Sequence, residues 1–259
     1  MIETFPFGKP IVKVNQKDRS EKKVFILGVY ASAVHATWYS PKGKVIVRAL
    51  AVDSEPEIFW RGENAADIIS KINIPKECGY LLPAEIKFNG PSGRSLDNHF
   101  LFPQGLNRED VWLCDLLPKS RMNSGQAEAI KRAYIPLVKR GIVPEINFPE
   151  VQYPISNELR RSEIVSEIKE SKAKVLILLG DKPIKEFLNY YYPCRNLAQL
   201  SKDGKEYGET FTANIDGYKV EVLPLVHPRQ AGQLGKSSKS WGDIHNKWIQ
   251  RYLEKRIKS

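Results

Sequence analysis

Residues 173–188 read AKVLILLGDKPIKEFL, an apolar run followed by one glycine and then by a helical segment. The run from Val175 to Leu179 contains no polar residue, which is typical of a strand that is buried on both faces of a sheet. Such strands lie in parallel sheets that are covered by helices on each side. This stretch therefore predicts an α/β fold.

Other segments of the chain repeat this order of strand and turn. The predicted strands lie within KKVFILGVYAS (22–32), KVIVRALAVD (44–53), REDVWLCDLLPK (108–119) and GYKVEVLPLVHP (217–228). We expect the first to end at Gly28 and the third to stop at Pro118. Because strands alternate with helices, the sequence predicts a three-layer α/β/α architecture with a central, mostly parallel sheet.

Helical periodicity marks the segments between the strands. In 123–141, Asn123 and Gln126 predict a capping box and Gly141 a stop, and Pro136 is expected to end or kink the helix near Tyr134. Further helices are predicted in 63–72, in 157–171 with Leu159, Ile164, Val165 and Ile168 on one face, and from Ser240 onward. We expect one domain over 1–259, with loop or insertion segments near 61–107 and 190–218.

The charge balance points to a partner of opposite sign. The chain of 259 residues has a formal net charge of +10, and 42% of its residues are hydrophobic. Polyanions are the usual partners of such basic chains, so nucleic acid is the first expectation, and a merely soluble basic protein is the alternative.

The sequence also argues against several classes of protein. No apolar run approaches ~20 residues and the N-terminus lacks the pattern of a signal peptide, so we expect no membrane segment. Cys78, Cys114 and Cys194 are far apart and predict neither a disulfide framework nor a metal knuckle. We interpret them as reduced thiols of a cytoplasmic protein.

Polar residues gather where the predicted strands end. Ligands of open α/β sheets bind outside the carboxyl ends of the strands. The pairs Val29–Tyr30, Cys114–Asp115, Gly180–Asp181 and His227–Pro228 all lie at such ends. Taken alone, His227 fits a half-buried histidine that is hydrogen-bonded at a turn. The expected convergence of the first, second and fourth pairs on one crevice favours an active site.

Five segments, in this order, resemble the uracil-DNA glycosylase superfamily, of which the chain would be a divergent member. They are ILGVYASAVHA (26–36), GPSGRSLDNHFL (90–101), VWLCDLLPKSRMNSGQ (111–126), VLILLGDKPIKEF (175–187) and LPLVHPRQAGQLG (223–235). The resemblance implies an enzyme that flips a base out of DNA and hydrolyses its glycosidic bond. It also implies an α/β fold without a cofactor.

By this resemblance, His227 is the donor beside the carbonyl of the base, and Pro228 sets its approach. Arg229 stands where the motif usually has serine and either holds a phosphate or is a solvated loop arginine. Leu234 is either the wedge that fills the vacated stack or a buried loop leucine. Phe88 stacks on the extruded base, a role that Phe100 or a tyrosine could equally fill.

The remaining DNA-binding predictions are basic or hydroxylic residues near these segments. They are Lys119, Arg121, Lys236, Lys239, Ser92 and Ser95. Cations would bind the phosphates and hydroxyls would hydrogen-bond to them.

Two positions depart from the pattern of the superfamily. The first segment usually carries Asp, Asn or Glu to handle water, but here Val29 and Tyr30 stand there. His35 is the best substitute as general base, although it also fits a satisfied turn histidine, and Tyr30 is assigned to the pocket floor. Asp115 occupies the position of a base-reading Asn. A carboxylate only accepts hydrogen bonds, which favours a cytosine-like base, unless Asp115 is protonated or only caps its strand.

The resemblance thus implies a monofunctional DNA N-glycosylase acting on a uracil-like or cytosine-like base, with DNA repair, modified-base removal and defence against foreign DNA all open as its role. We expect a monomer with no metal and no iron–sulfur cluster, because four clustered cysteines are lacking. A catalytically inactive DNA-binding protein of the same fold is the alternative. An unrelated nucleotide-binding α/β enzyme lacks support, because neither Gly28 nor Gly180 begins a phosphate-binding motif.

Overall fold

The computed structural model describes residues 2–234 and 239–258. Its strands are β1 (Val24–Tyr30), β2 (Ala33–Tyr39), β3 (Val45–Ser54), β4 (Tyr80–Pro83), β5 (Val111–Leu117), β6 (Val175–Leu179), β7 (Phe211–Ile215) and β8 (Tyr218–Leu225). Its α-helices are α1 (Ala65–Ser70), α2 (Pro91–Leu96), α3 (Ser124–Ala129), α4 (Ile135–Lys139), α5 (Glu158–Ser171), α6 (Asp181–Glu186), α7 (Leu197–Leu200), α8 (Pro228–Ala231) and α9 (Lys239–Lys258). Single π-helical turns cover Asp97–Leu101 and Ile130–Tyr134.

Two compact units share the chain. The parallel-sheet unit consists of Asn15–Val29, Ser92–Leu117 and Tyr153–Ser259, and the antiparallel-sheet unit of Met1–Val14, Tyr30–Pro91 and Pro118–Gln152. Each unit draws on three separate ranges of sequence. The expectation of one domain with insertions near 61–107 and 190–218 stays a prediction.

A five-stranded sheet forms the centre of the parallel-sheet unit, in the order β5-β1-β6-β8-β7. β6 pairs in parallel with β1 and with β8. The edge strand β7 runs antiparallel to its neighbour, β8. Helices α5, α6 and α7 pack against β5, β6 and β8. The α/β class with a central, mostly parallel sheet is therefore confirmed, as is its layering of helices on the sheet.

Burial explains the continuous apolar runs of the central strands. Residues 176–179 of β6 and residues 25–27 of β1 are at most 1% exposed. β1 does not end at Gly28 as predicted but continues to Tyr30. Glycine lacks a side chain to pack, yet it does not interrupt this strand, because the main-chain conformation stays extended.

The antiparallel-sheet unit contains the second sheet, in the order β3-β2-β4. β2 pairs antiparallel with both neighbours, so that Ala36 lies opposite Leu50 and Pro83. Sequence patterning did not separate β2 from β1, because only two residues lie between the two strands. His35 consequently lies within a strand, opposite Ala51, and not in a turn.

The predicted helix of 123–141 forms with two differences. The side chain of Asn123 accepts the hydrogen bond from the main-chain N–H of Gln126 (2.9 Å), as expected of an N-cap. Gln126 does not complete the capping box; its amide bonds the N–H of Ala51 (3.0 Å) and the carbonyl of Ala49 (2.8 Å). Pro136 does not end the helix, since a π-helical turn precedes it and Pro136 is the second residue of α4.

We predict that Gln126→Ala lowers the free energy of unfolding by about 2 kcal/mol, because it leaves one buried N–H of β3 without its acceptor. Urea denaturation followed by circular dichroism measures the loss. Glu128→Ala, an exposed substitution on the same helix, is the control and should change stability by less than about 0.5 kcal/mol. Equal effects of the two substitutions would contradict the assigned role of Gln126.

Candidate active site

The carboxyl ends of four strands lie along one edge of the parallel-sheet unit. Val175 of β6 is in register with Val24 of β1 and with Glu221 of β8, so these strands begin together and run parallel. The N–H of Lys23 donates to the carbonyl of Asp110 (2.9 Å), which places the start of β5 beside the start of β1. This common edge is where open α/β sheets bind their ligands.

His227 follows β8 by two residues and is the N-cap of α8. Its Nδ1 accepts a hydrogen bond from the main-chain N–H of Arg229 (3.2 Å), while the main-chain N–H of His227 donates to Oε1 of Gln230 (3.2 Å). The carbonyl of His227 accepts from the N–H groups of Gln230 and Ala231. The segment HPRQ thus holds both the main chain and the ring of His227 by local hydrogen bonds.

Burial sets the protonation state of the imidazole, and the local hydrogen bonds set its tautomer. Burial, assisted by the charge of Arg229, lowers the pKa of His227 to about 4, so the ring is neutral at pH 7. Because Nδ1 accepts a hydrogen bond, the single proton of the neutral ring resides on Nε2. Nε2 has no hydrogen-bond partner among the described residues, and the side chain is only partly buried. His227 therefore offers a free N–H donor.

Gly180 creates the space that His227 occupies. Its φ of +87° lies in the region that favours glycine, and a Cβ built on it would lie 3.2 Å from Cβ of His227. The N–H of Gly180 donates to the carbonyl of Leu225 (2.8 Å), which ties the end of β6 to the end of β8. The glycine that the sequence marked as a turn is also the neighbour of the candidate donor.

Ser95 supports the residue that follows His227. Its hydroxyl donates to the carbonyl of Pro228 (2.6 Å), and the side chain is 5% exposed. Sequence reasoning assigned Ser95 and Ser92 to phosphate contacts. Ser95 is committed to this internal hydrogen bond, whereas Ser92, also in α2, is partly exposed, and its contact with DNA stays a prediction.

Asp115 lies in β5, near the same edge of the sheet, and is 3% exposed. Its main-chain carbonyl accepts from Nη2 (2.8 Å) and Nε (3.3 Å) of Arg160. Its carboxyl group has no hydrogen-bond partner among the residues that the structure describes. Burial raises the pKa of Asp115 to about 7, although the charge of Arg160 opposes the rise.

Arg160 is the supporting residue that sequence reasoning missed. It is 8% exposed, and its guanidinium also pairs with Glu167 (3.0 Å), whose other oxygen accepts from the indole of Trp112 (3.0 Å). Leu159 was predicted on one face with Ile164 and Ile168, and this is wrong, since Leu159 is 70% exposed while the other two are buried. The missed signal was the spacing of 160 with the buried Ile164 and Ile168, four residues apart along one face.

Two strands, β1 and β6, separate β5 from β8, so the strand axes that carry Asp115 and lead to His227 are about 14 Å apart. Both residues lie at one edge and neither is on the amino-terminal edge. Both residues therefore lie toward the carboxyl end of the sheet, on strands that two others separate.

Two predicted DNA-binding residues lie beside His227. Arg229 is exposed and pairs with no carboxylate among the described residues, and Leu234 is 42% exposed. The N–H of Leu234 donates to the carbonyl of Arg229 (2.8 Å), which closes the loop after α8. Lys239 is exposed at the first turn of α9, and Lys236 lies outside the described residues.

The other predicted site residues belong to the antiparallel-sheet unit. Burial lowers the pKa of His35 to about 4, and its buried Nδ1 has no hydrogen-bond partner in the described part of the chain. The side-chain amide of Asn89 holds both main-chain groups of His35 (2.8 and 2.9 Å). Tyr30 is 40% exposed, and Phe88 is partly buried with Nζ of Lys87 5.1 Å from its ring centroid.

The predicted phosphate-binding cations of this unit have an internal partner. Lys119 (3.0 Å) and Arg121 (3.3 Å) both contact the carboxylate of Glu3. One carboxylate offsets about half of their charge. Their contact with DNA stays a prediction. The two side chains carry less unpaired positive charge than the sequence suggested.

The structure offers no prebuilt metal centre in the part of the chain that it describes. No group of three or more His, Cys, Asp or Glu side chains is placed to hold an ion there. The expectation of a metal-free and cluster-free protein stays a prediction. None of the helices in the described ranges has the length and apolar character that crossing a membrane requires.

Comparison with known proteins leaves the site to be interpreted from its own chemistry. No protein-family model matches the chain, and no curated protein sequence matches it significantly.

We predict that Gly180→Ala is more harmful than Gly217→Ala. Both glycines have a positive φ (+87° and +81°), so each substitution strains the main chain by about 1 kcal/mol. A Cβ at 217 meets nothing within 4 Å, whereas one at 180 meets His227. Only Gly180→Ala should shift the imidazole resonances of His227 in NMR spectra. Identical spectra of the two variants would contradict the close approach.

We also predict that Asp115→Asn stabilises the protein more at pH 8 than at pH 5. The folded chain keeps the Asp115 proton up to about pH 7, whereas the unfolded chain loses it near the ordinary value of 3.8. The folded state therefore binds more protons in this window, and stability falls as pH rises through it. Asparagine removes this loss, which amounts to about 2 to 4 kcal/mol at pH 8.

Urea unfolding at both pH values tests this expectation. Asp203→Asn, at an exposed turn, is the matched control and should show a similar, small effect at both. A gain for Asp115→Asn that does not grow with pH would contradict burial of an ionisable carboxyl group.

Proposed function

We propose that the protein is a DNA N-glycosylase that removes a uracil-like or cytosine-like base. The observation that carries the proposal is the neutral imidazole of His227, with an unpartnered Nε2–H, at the carboxyl edge of the parallel sheet. The resemblance of five segments to uracil-DNA glycosylases supports it. Three of these segments contain β5, β6 and the end of β8, which form that edge.

The proposed reaction breaks the N-glycosidic bond with water. The bonding electron pair leaves with the base, so negative charge develops on its ring and carbonyl oxygen while C1′ of the sugar becomes cationic. Water adds its oxygen to C1′ and loses a proton, and the base anion takes up a proton, which gives an abasic sugar and the free base. The Nε2–H of His227 donates to the developing oxyanion, a contribution of roughly 3 kcal/mol when the donor is preorganised.

A neutral donor suits this task better than a charged one. A charged imidazolium would have to form against the burial of the ring, whereas the neutral N–H is present at neutral pH and can donate to the developing oxyanion. A pKa of about 4 keeps His227 uncharged over the physiological range. The hydrogen bond from the Arg229 N–H favours the tautomer with the donor proton on Nε2.

Asp115 is proposed to select the base. As a carboxylate it accepts from the exocyclic amine of a cytosine-type base, and as a neutral acid it donates to O4 of uracil. Its pKa of about 7 lies at the pH where both forms are populated. The strand axes of β5 and β8 are about 14 Å apart, and the planar base is proposed to lie beyond the carboxyl ends of the two strands between them.

DNA is the proposed partner. Arg229 and Leu234 are exposed and follow His227 within seven residues of the chain, so they are proposed to hold a phosphate and to fill the gap left by a flipped base. The net charge of +10 supports attraction of a polyanion. We propose a monomer in the cytoplasm, which the three free, buried cysteines support.

The reaction also needs a group that takes a proton from water. The Nδ1 of His35 is buried and has no hydrogen-bond partner among the described residues, and a pKa of about 4 makes His35 a weak base near pH 7. Val29 and Tyr30 carry neither carboxylate nor amide where the superfamily has one. This favours a second candidate function, a DNA-binding protein of the same fold without catalysis.

An excision assay separates the two functions. Single- and double-stranded oligonucleotides carrying one uracil, hypoxanthine, cytosine or modified cytosine are incubated with the protein, and abasic sites are cleaved with alkali. We expect scission at one class of base and a loss of at least about 100-fold in His227→Ala. Asp115→Asn should move the preference toward uracil.

Lys219→Gln is the control, since Lys219 is an exposed cation at the opposite end of β8. It should leave the excision rate unchanged, whereas Arg229→Gln should weaken DNA binding and its salt dependence. Salt-sensitive binding without scission on any base would establish the binder. The absence of both DNA binding and scission would contradict both functions.

A further inference from the structure

A second buried histidine lies behind the candidate site. His245 of α9 is fully buried, and its Nδ1 lies 2.7 Å from the hydroxyl of Tyr207, which is itself 2% exposed. Nε2 of His245 lies 2.8 Å from the carbonyl of His99. Neither side chain is accounted for by the proposed chemistry, although both are polar groups enclosed in the core of the parallel-sheet unit.

The direction of each hydrogen bond follows from the chemistry of its partners. The carbonyl of His99 only accepts, so Nε2 of His245 carries a proton. Burial lowers the pKa of His245 to about 4, so the neutral ring has a bare Nδ1 that accepts from the Tyr207 hydroxyl. The Tyr207 oxygen in turn accepts from the main-chain N–H of Val226 (3.0 Å).

This chain of hydrogen bonds ends one residue before His227. On the other side of His227, the carbonyl of Pro228 accepts a hydrogen bond from the hydroxyl of Ser95. Ser95 and His99 lie four residues apart in one continuous helical segment, α2 with its π-helical turn. One segment therefore reaches both sides of His227, directly through Ser95 and indirectly through His245 and Tyr207.

Tight packing fixes the two side chains. The ring of Phe100 lies 4.4 Å from that of His245, centroid to centroid. At Gly208, φ is +83° and a Cβ would lie 2.0 Å from Nε1 of Trp248, so the chain after Tyr207 admits only glycine. The hydroxyl of Tyr207 has little freedom to move away from Val226.

We propose that Tyr207 and His245 are positioning residues that hold the main chain before His227, and with it the imidazole, in the orientation that presents Nε2–H. The catalytic consequence rests on the proposed function, but the structural consequence does not. Deleting the hydroxyl leaves the buried N–H of Val226 without an acceptor, which drives this main chain to move.

Tyr207→Phe tests the proposal while keeping the ring. Tyr218→Phe is the matched control, because its hydroxyl donates to the carbonyl of Ala173 (3.3 Å) at the opposite end of β8. Ring ¹⁵N NMR of His227 is the first measurement. We expect the wild type and Tyr218→Phe to have the proton on Nε2, and Tyr207→Phe to shift toward a mixture of tautomers.

The second measurement is the excision rate. Tyr207→Phe should lower kcat about 10-fold or more and leave KM within about twofold. A misoriented His227 imidazole impairs the chemical step more than it impairs substrate binding. In a His227→Ala background, Tyr207→Phe should have no further effect on the rate. A purely structural role predicts the same loss in both backgrounds.

His245 provides an independent variant in case Tyr207→Phe does not fold. His245→Gln keeps one acceptor and one donor, and should remain closer to the wild type in the His227 spectrum than His245→Phe. Unchanged His227 resonances in both Tyr207→Phe and His245→Phe would overturn the inference. A wild type that excises no base contradicts the proposed function only, since the NMR outcome still decides the positioning.

Discussion

Parallel pairing of β6 with β1 on one side and β8 on the other is the constraint on which the rest of the structure depends. Because these strands begin at one edge, they all end at the other, and residues far apart in sequence meet there. The pairing requires that both faces be covered, which explains the unbroken apolar runs. Polar side chains are therefore excluded from the middle of these strands and are concentrated at their ends.

Hydrogen bonds to buried main chain, more than ion pairs, hold the groups at this edge. Arg160 fixes the carbonyl of Asp115, and Ser95 and Tyr207 fix the residues on either side of His227. The same burial sets the protonation states, since it disfavours charge on an imidazole and on a carboxyl alike. A neutral donor and a carboxyl that titrates near pH 7 are two results of one environment.

Local patterns predicted much of this architecture. The strand before Gly180, the strand leading to His227 and the helix after Asn123 lie where apolar continuity and capping residues placed them. The failures have a common cause. β2 depends on pairing with β3 and β4, and Arg160 is buried because its acceptor lies 45 residues away, on Asp115. Spacing along the chain carries no information about such partners.

The amino-acid sequence alone determined the α/β class, the glycine at 180, and the HPRQ segment that caps α8 around His227, because these depend on neighbours a few residues apart. Only the tertiary structure decided which residues hold the main chain around His227. Tyr207 and His245 come from segments without a shared pattern, and their hydrogen bonds to Val226 and His99 exist only after the sheet and α9 have packed. Packing also decided the charge of each buried group, since a pKa responds to what surrounds a side chain in space.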